Sequence, residues 1–150
     1  MAVRLLKIAI PFIWFGMVGA ISFMEAPLKF QAPGVTLPLG LGIGRIVFQM
    51  LNKIEMVMAV ILAAAFLIDR RGRGLPFYLF LLTAGILAVQ TFWLLPELDA
   101  RAELVIAGET PPGSNEHVVY IVIEAIKLLA LLAIGIFTTR AVLKEVGHET

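Results

Sequence analysis

The chain has 150 residues, of which 60% are hydrophobic and 15% charged, and its formal net charge is +1. A soluble domain averages about 45–50% apolar and about 25% charged residues, so this composition excludes an ordinary soluble domain. Cysteine is absent, which excludes disulfides, thiol catalysis, cysteine-ligated metal and c-type haem attachment.

The apolar excess falls in four long runs rather than in short alternating segments. That pattern predicts an all-α integral membrane protein: one domain over residues 1–150, with four transmembrane helices in a bundle and no β-barrel. Met1 to Lys7 reads as a short basic tail, and the first span as about residues 8–25, with Pro11 in its first turn. Arg4 and Lys7 ahead of an apolar run also suit a signal peptide. The run is long for one, however, and only a weak small-residue site, Ala20-Ile-Ser22, follows. Glu25 to Gly40 contains Pro27, Pro33 and Pro38 and predicts an apolar outer loop. Gly40, Gly42 and Gly44 follow. No strand precedes them and no GK[ST] follows, so they predict close backbone approach at a helix start rather than a phosphate loop.

The second span is expected at about 41–68 and the third at about 75–95, joined by the basic turn Asp69 to Gly74. Pro96 is expected to start a short amphipathic helix, with Leu98, Ala102 and Val105 on one side and Gly108 at its end. The fourth span is expected at about 117–139, capped by Ser114 or Asn115. Arg4, Lys7, Arg70, Arg71, Arg73, Arg140 and Lys144 lie on one side of this topology. Lys29 and Arg101 lie on the other, beside Glu97, Asp99, Glu103, Glu109 and Glu116. The positive-inside rule then places both termini in the cytoplasm of a cell membrane, the inner membrane in a bacterium. Orientation accounts for the basic residues, so the lipid bilayer is the expected partner and nucleic acid is not.

Two polar stripes interrupt the apolar runs. His117, Tyr120, Glu124 and Lys127 share one helix face, and Arg45, Gln49, Asn52 and Glu55 share another. At about 1.5 Å per residue, Glu55 and Lys127 lie roughly 20 Å from the inner boundary, and Glu25, Asn52, Gln90 and Glu124 roughly 24–27 Å. In a hydrocarbon core about 30 Å thick, all four spans therefore bring polar groups to one layer in the outer half. A charge near mid-membrane costs about 2.5–3.5 kcal/mol, so Glu55, Glu124 and Lys127 must face inward and find partners. Matched depth pairs Glu55 with Lys127. Glu124 is left to Asn52, Gln90, the Trp93 N–H, a proton or a cation. Lys53 points away from Glu55 and snorkels outward. Arg45 and His117 fall near the outer surface, with Lys29 above them.

Four pieces of this sequence, Ile21-Ser-Phe-Met-Glu-Ala-Pro-Leu-Lys-Phe30, Gly44-Arg-Ile-Val-Phe48, Gln90-Thr-Phe-Trp-Leu-Leu-Pro96 with Arg101, and His117-x-x-Tyr120-x-x-x-Glu124-x-x-Lys127, carry a resemblance. Together they resemble the small four-span membrane proteins with a domain of unknown function, typified by a eukaryotic transmembrane protein linked to platinum-drug resistance. The resemblance implies four helices over most of the chain and implies no activity. Glu25 and Lys29 depart from the general pattern and suggest a distinct subgroup.

Several functions fit these residues. Glu55 and Glu124 could bind a cation or proton at a solute-binding or transport site open to the outside, with Lys127 and Arg45 balancing charge. Four spans enclose a small pathway, so transport would call for a homodimer or a larger membrane complex. The chain could instead be an accessory subunit without turnover, docking through Ala26 to Leu39 and the segment after Pro96. As a third reading, Glu25, Glu55, His117 and Glu124 could ligate a metal in a membrane enzyme, although no Glu-x-x-His pair is present. The sequence names no cofactor. Glu55 with Lys127 is equally an ion pair that fixes helix register. His117 is equally a surface histidine, and Trp93 and Tyr120 equally interfacial aromatics.

Overall fold

The structure is a computed structural model and describes residues 1–70 and 74–148. Among these residues, four helices are long and apolar enough to cross a membrane. They are α1 (Ala2–Gln31), α2 (Leu37–Ile68), α3 (Gly74–Ile106) and α4 (Glu116–His148). A multi-pass membrane protein is the reading these helices suggest. Their outward faces carry Ile46, Val60, Leu67, Ile68, Phe92 and Leu129, all exposed, as a lipid environment requires. The inner faces meet in a core of Trp14, Val18, Leu51, Leu62, Phe66, Leu131 and Ile134. Helix α4 packs along α1 and α3, and α2 packs on α1 and on the carboxyl-terminal part of α3. Helices α2 and α4 stand diagonally across the bundle.

Two prolines expected to end helices do not. Helix α1 runs on past Pro27, and α3 runs on past Pro96 without separating a short helix from the third span. In both places a π-helical segment comes first, Gly19–Glu25 in α1 and Gln90–Leu94 in α3. The residue just before each proline completes the wide turn: the Ala26 N–H donates to the Ile21 carbonyl, and the Leu95 N–H to the Gln90 carbonyl. A proline has no N–H for the usual i−4 carbonyl, and its ring crowds that carbonyl. Bonding to i−5 widens the coil there and lets the helix continue.

The loop expected over residues 25–40 therefore shrinks to 32–36. Thr36 caps α2 by accepting from the Leu39 N–H, with Pro38 in the first turn. Gly108, at φ +86°, ends α3 as expected, and the Glu109 N–H reaches back to the Leu104 carbonyl. At the start of α4 the Val119 N–H donates to the Asn115 carbonyl.

The first helix also begins earlier than expected, at Ala2, so Lys7 is no tail residue. It is buried at 3% exposure, lies 3.1 Å from Asp69 at the end of α2 and sits over the Phe66 ring. Arg4 pairs with Glu145 at 2.9 Å. The amino terminus, the end of α2 and the carboxyl-terminal part of α4 thus meet at one end of the bundle. Arg71 and Arg73, counted in the orientation argument, lie outside the described residues.

Candidate functional site

The two π-helical segments do more than carry chain past prolines. Each turns a polar residue onto Glu124 from an otherwise apolar helix. The Ser22 hydroxyl donates to Glu124 Oε1 at 2.8 Å, and Gln90 Nε2 donates to Glu124 Oε2 at 2.6 Å. Lys127, one turn along α4, lies 2.8 Å from the same Oε2. Its ammonium also donates to Gln90 Oε1 at 2.7 Å and to Glu55 Oε1 at 2.5 Å. The Trp14 indole N–H closes the set by donating to Glu55 Oε1 at 2.7 Å. Glu55, Gln90, Glu124, Lys127 and Trp14 are each no more than 1% exposed. One network of charge-assisted bonds therefore links all four helices inside the bundle.

The network brings together Glu55 and Lys127, paired above by depth alone, and adds Gln90 and Glu124. Trp14 and Ser22 were not anticipated. Trp93, offered as a donor to Glu124, is 54% exposed and faces away from the network. The π turn sets Gln90 inward, and three residues further along that wide coil Trp93 comes out on the lipid side.

Beside this network, on the side away from the chain termini, lies a cavity of about 970 Å³ between α2 and α4, bounded also by the end of α1 and by the carboxyl-terminal part of α3. Glu124, Ser22, Asn52 and Tyr120 border its deep part. Phe23, Phe48, Leu41, Leu95, Leu98 and Ile121 supply most of the wall. Asn52 donates to Thr91 at 2.8 Å, and Tyr120 meets the Phe48 ring edge-on at 5.9 Å.

At the mouth, Arg45 holds Asp99 with two bonds of 2.5 and 2.9 Å and Glu103 with a third of 2.5 Å. Gln49 adds a bond to Asp99. Lys29 pairs with Glu25 at 3.3 Å and sits between the Phe30 and Phe48 rings, 5.7 and 5.8 Å from their centres. The expected close approach at the glycines occurs here. A Cβ at Gly40 would strike the Phe30 ring, and one at Gly44 would lie 2.9 Å from Lys29 Nζ. Gly42 meets nothing. Glu25, Lys29 and Arg45 thus belong to the rim and not to the deep network. His117 borders the cavity from the first turn of α4 and is exposed.

No family model, curated protein or solved structure matches the chain.

The chemistry of the site rests on its own residues. Among the described residues, no three histidine, aspartate or glutamate side chains gather as a metal site would need. The carboxylates among the four candidate ligands are engaged by protein donors: Glu25 by Lys29, Glu55 by Trp14 and Lys127, Glu124 by Ser22, Gln90 and Lys127. His117 stands at the rim.

Proposed function

We propose that this chain is a multi-pass membrane protein that binds a small solute in the cavity of its outer half, with both termini cytoplasmic. The observation that carries the reading is Glu124. Its carboxylate belongs to the buried network and also borders a largely apolar cavity, the combination of greasy wall and few polar groups that ligand sites use. The volume suits a drug-sized molecule, since such pockets span about 300–1,000 Å³. Clustering of Arg4, Lys7 and the carboxyl-terminal part of α4 at the opposite end supports the orientation. With that orientation the cavity opens outward. Turnover of the solute across the membrane would involve a second copy or a larger complex, since the inner half of the bundle is filled by Leu62, Phe66, Phe80 and Leu131.

Membership in the small four-span family is part of the same proposal. Its support is that motif residues from all four pieces, Ser22, Lys29, Arg45, Gln90, Tyr120 and Glu124, gather around one cavity and the network beneath it.

Ala102 borders the cavity from α3 and lies away from the Glu124 network. The purified chain in mild detergent is expected to take up one equivalent of an environment-sensitive apolar dye, and Ala102→Trp, which puts an indole into the cavity, is expected to weaken that uptake. Equal uptake by both would place the dye on the lipid-facing surface and contradict a solute site. The orientation has its own test, made clean by the absence of native cysteine. In intact cells an impermeant thiol reagent is expected to label Gly113→Cys and to spare Arg70→Cys; the reverse pattern would invert the topology.

A further inference from the structure

The unmet hydrogen-bonding groups of the cavity point to one class of ligand. Tyr120 is 6% exposed, borders the cavity and makes no hydrogen bond among the described residues. Asn52 is 7% exposed, and its amide orientation follows from its neighbour. Thr91 has a single hydroxyl proton, donated to the Leu87 carbonyl at 2.7 Å. Its oxygen can then only accept, so Asn52 must offer its NH₂ to Thr91. That leaves the Asn52 carbonyl oxygen with no donor among the described residues. Glu124 Oε1 receives one bond, from Ser22, and a carboxylate oxygen has room for a second. The deep end of the cavity therefore presents acceptors that lack donors.

Charge runs the same way. In the network below, Glu55 and Glu124 share one ammonium, Lys127, leaving one formal negative charge to be balanced by a proton or a cationic group. At the mouth the basic groups already have acids, Arg45 with Asp99 and Glu103, and Lys29 with Glu25. Lys53 and His117 also border the cavity, but both are exposed, unlike the acceptors at its buried end. An anion would find its cations taken or at the surface, whereas a buried cation with N–H donors would meet Glu124, the Asn52 carbonyl and the Tyr120 oxygen. The wall around that position includes the Phe48 and Tyr120 rings, which favour cations and apolar bodies alike.

We infer that the cavity takes an amphiphilic organic cation: a protonated amine on a compact apolar or aromatic body, its ammonium among Glu124, Asn52 and Tyr120 and its body against the apolar wall. This rests on the solute-binding reading above and narrows it. The test is calorimetric titration of the purified full chain in mild detergent with three probes of similar shape: phenethylammonium, neutral 2-phenylethanol and anionic 3-phenylpropanoate. The ammonium is expected to bind at least about tenfold more tightly than either isostere, a gap of about 1.4 kcal/mol. Tyr120→Phe, which removes only the hydroxyl, is expected to weaken the ammonium several-fold and leave the alcohol nearly unchanged. Equal binding of all three probes would overturn the cation assignment and leave a solute site without charge selection. Preference for the carboxylate would overturn it in favour of an anion site at Arg45, Lys29 or Lys53. Binding of none of the three, together with dye uptake that Ala102→Trp does not weaken, would remove the solute site itself.

Discussion

Lys127→Met is expected to be among the most damaging single changes in this chain. The ammonium is fully buried and serves Glu55, Gln90 and Glu124 at once. Removing it leaves two carboxylates in one dry layer with only the Trp14, Ser22 and Gln90 donors. Breaking a buried pair in this way costs about 3–5 kcal/mol, because the uncompensated charge stays behind. Glu55→Gln or Glu124→Gln should be far milder, at under about 1.5 kcal/mol, since each leaves one carboxylate facing one ammonium. The Glu55→Gln/Lys127→Met double variant should recover only part of the loss, because Glu124 remains uncompensated. Recovery should need the triple variant with Glu124→Gln. Unfolding of the five variants in one detergent gives the coupling energies directly. Full recovery in the double variant would mean that Glu124 does not depend on Lys127.

Trp14→Ala is the second large effect. The indole is fully buried between α1 and its neighbours and gives its N–H to Glu55 Oε1. Truncating a large buried aromatic costs about 3–5 kcal/mol, through lost packing and the cavity left behind. Trp14→Phe keeps much of the ring and removes the donor, so about 1–3 kcal/mol of loss should remain, the cost of a buried acceptor with one bond fewer. Trp14 does not border the cavity. Solute affinity should therefore survive in whatever fraction of Trp14→Phe stays folded, when binding is measured beside an unfolding curve. A fall in affinity larger than the fall in folded fraction would tie Trp14 to the site.

The membrane class and the Glu55–Lys127 contact were legible because charge in lipid is costly enough to leave few arrangements, and helix rise converts residue number into depth. Glu124 was legible for the same reason, and Gln90 because a polar amide at that depth also has to face inward. Trp14 and Ser22 were not. Neither is charged, and both are ordinary in a membrane helix, so nothing in the sequence marks them as inward partners. The prolines misled for a different cause. Pro27 and Pro96 forbid a regular α-turn, and the sequence does not announce that an i−5 bond will be made instead. Ending the helices at these prolines left Lys29 without a placed backbone, hid the seat of Phe30 on Gly40 and gave Trp93 an inward direction it does not have. Lys7 was misplaced because a basic residue near the amino terminus reads as a solvated tail, whereas Asp69 draws it into the bundle.

The roles of the two carboxylates separate in a single measurement: the melting temperature of the wild-type chain and of Glu124→Gln, each with and without phenethylammonium, in the same detergent. A ligand at about 100 times its Kd adds about 2.7 kcal/mol to the stability of the form that binds it. With Glu55 and Lys127 holding the bundle and Glu124 serving the cavity, the variant should melt near the wild type when no solute is present. Only the wild type should then gain stability from the ammonium. A variant that collapses without solute, or one that gains as much from the ammonium as the wild type does, would contradict this division of labour.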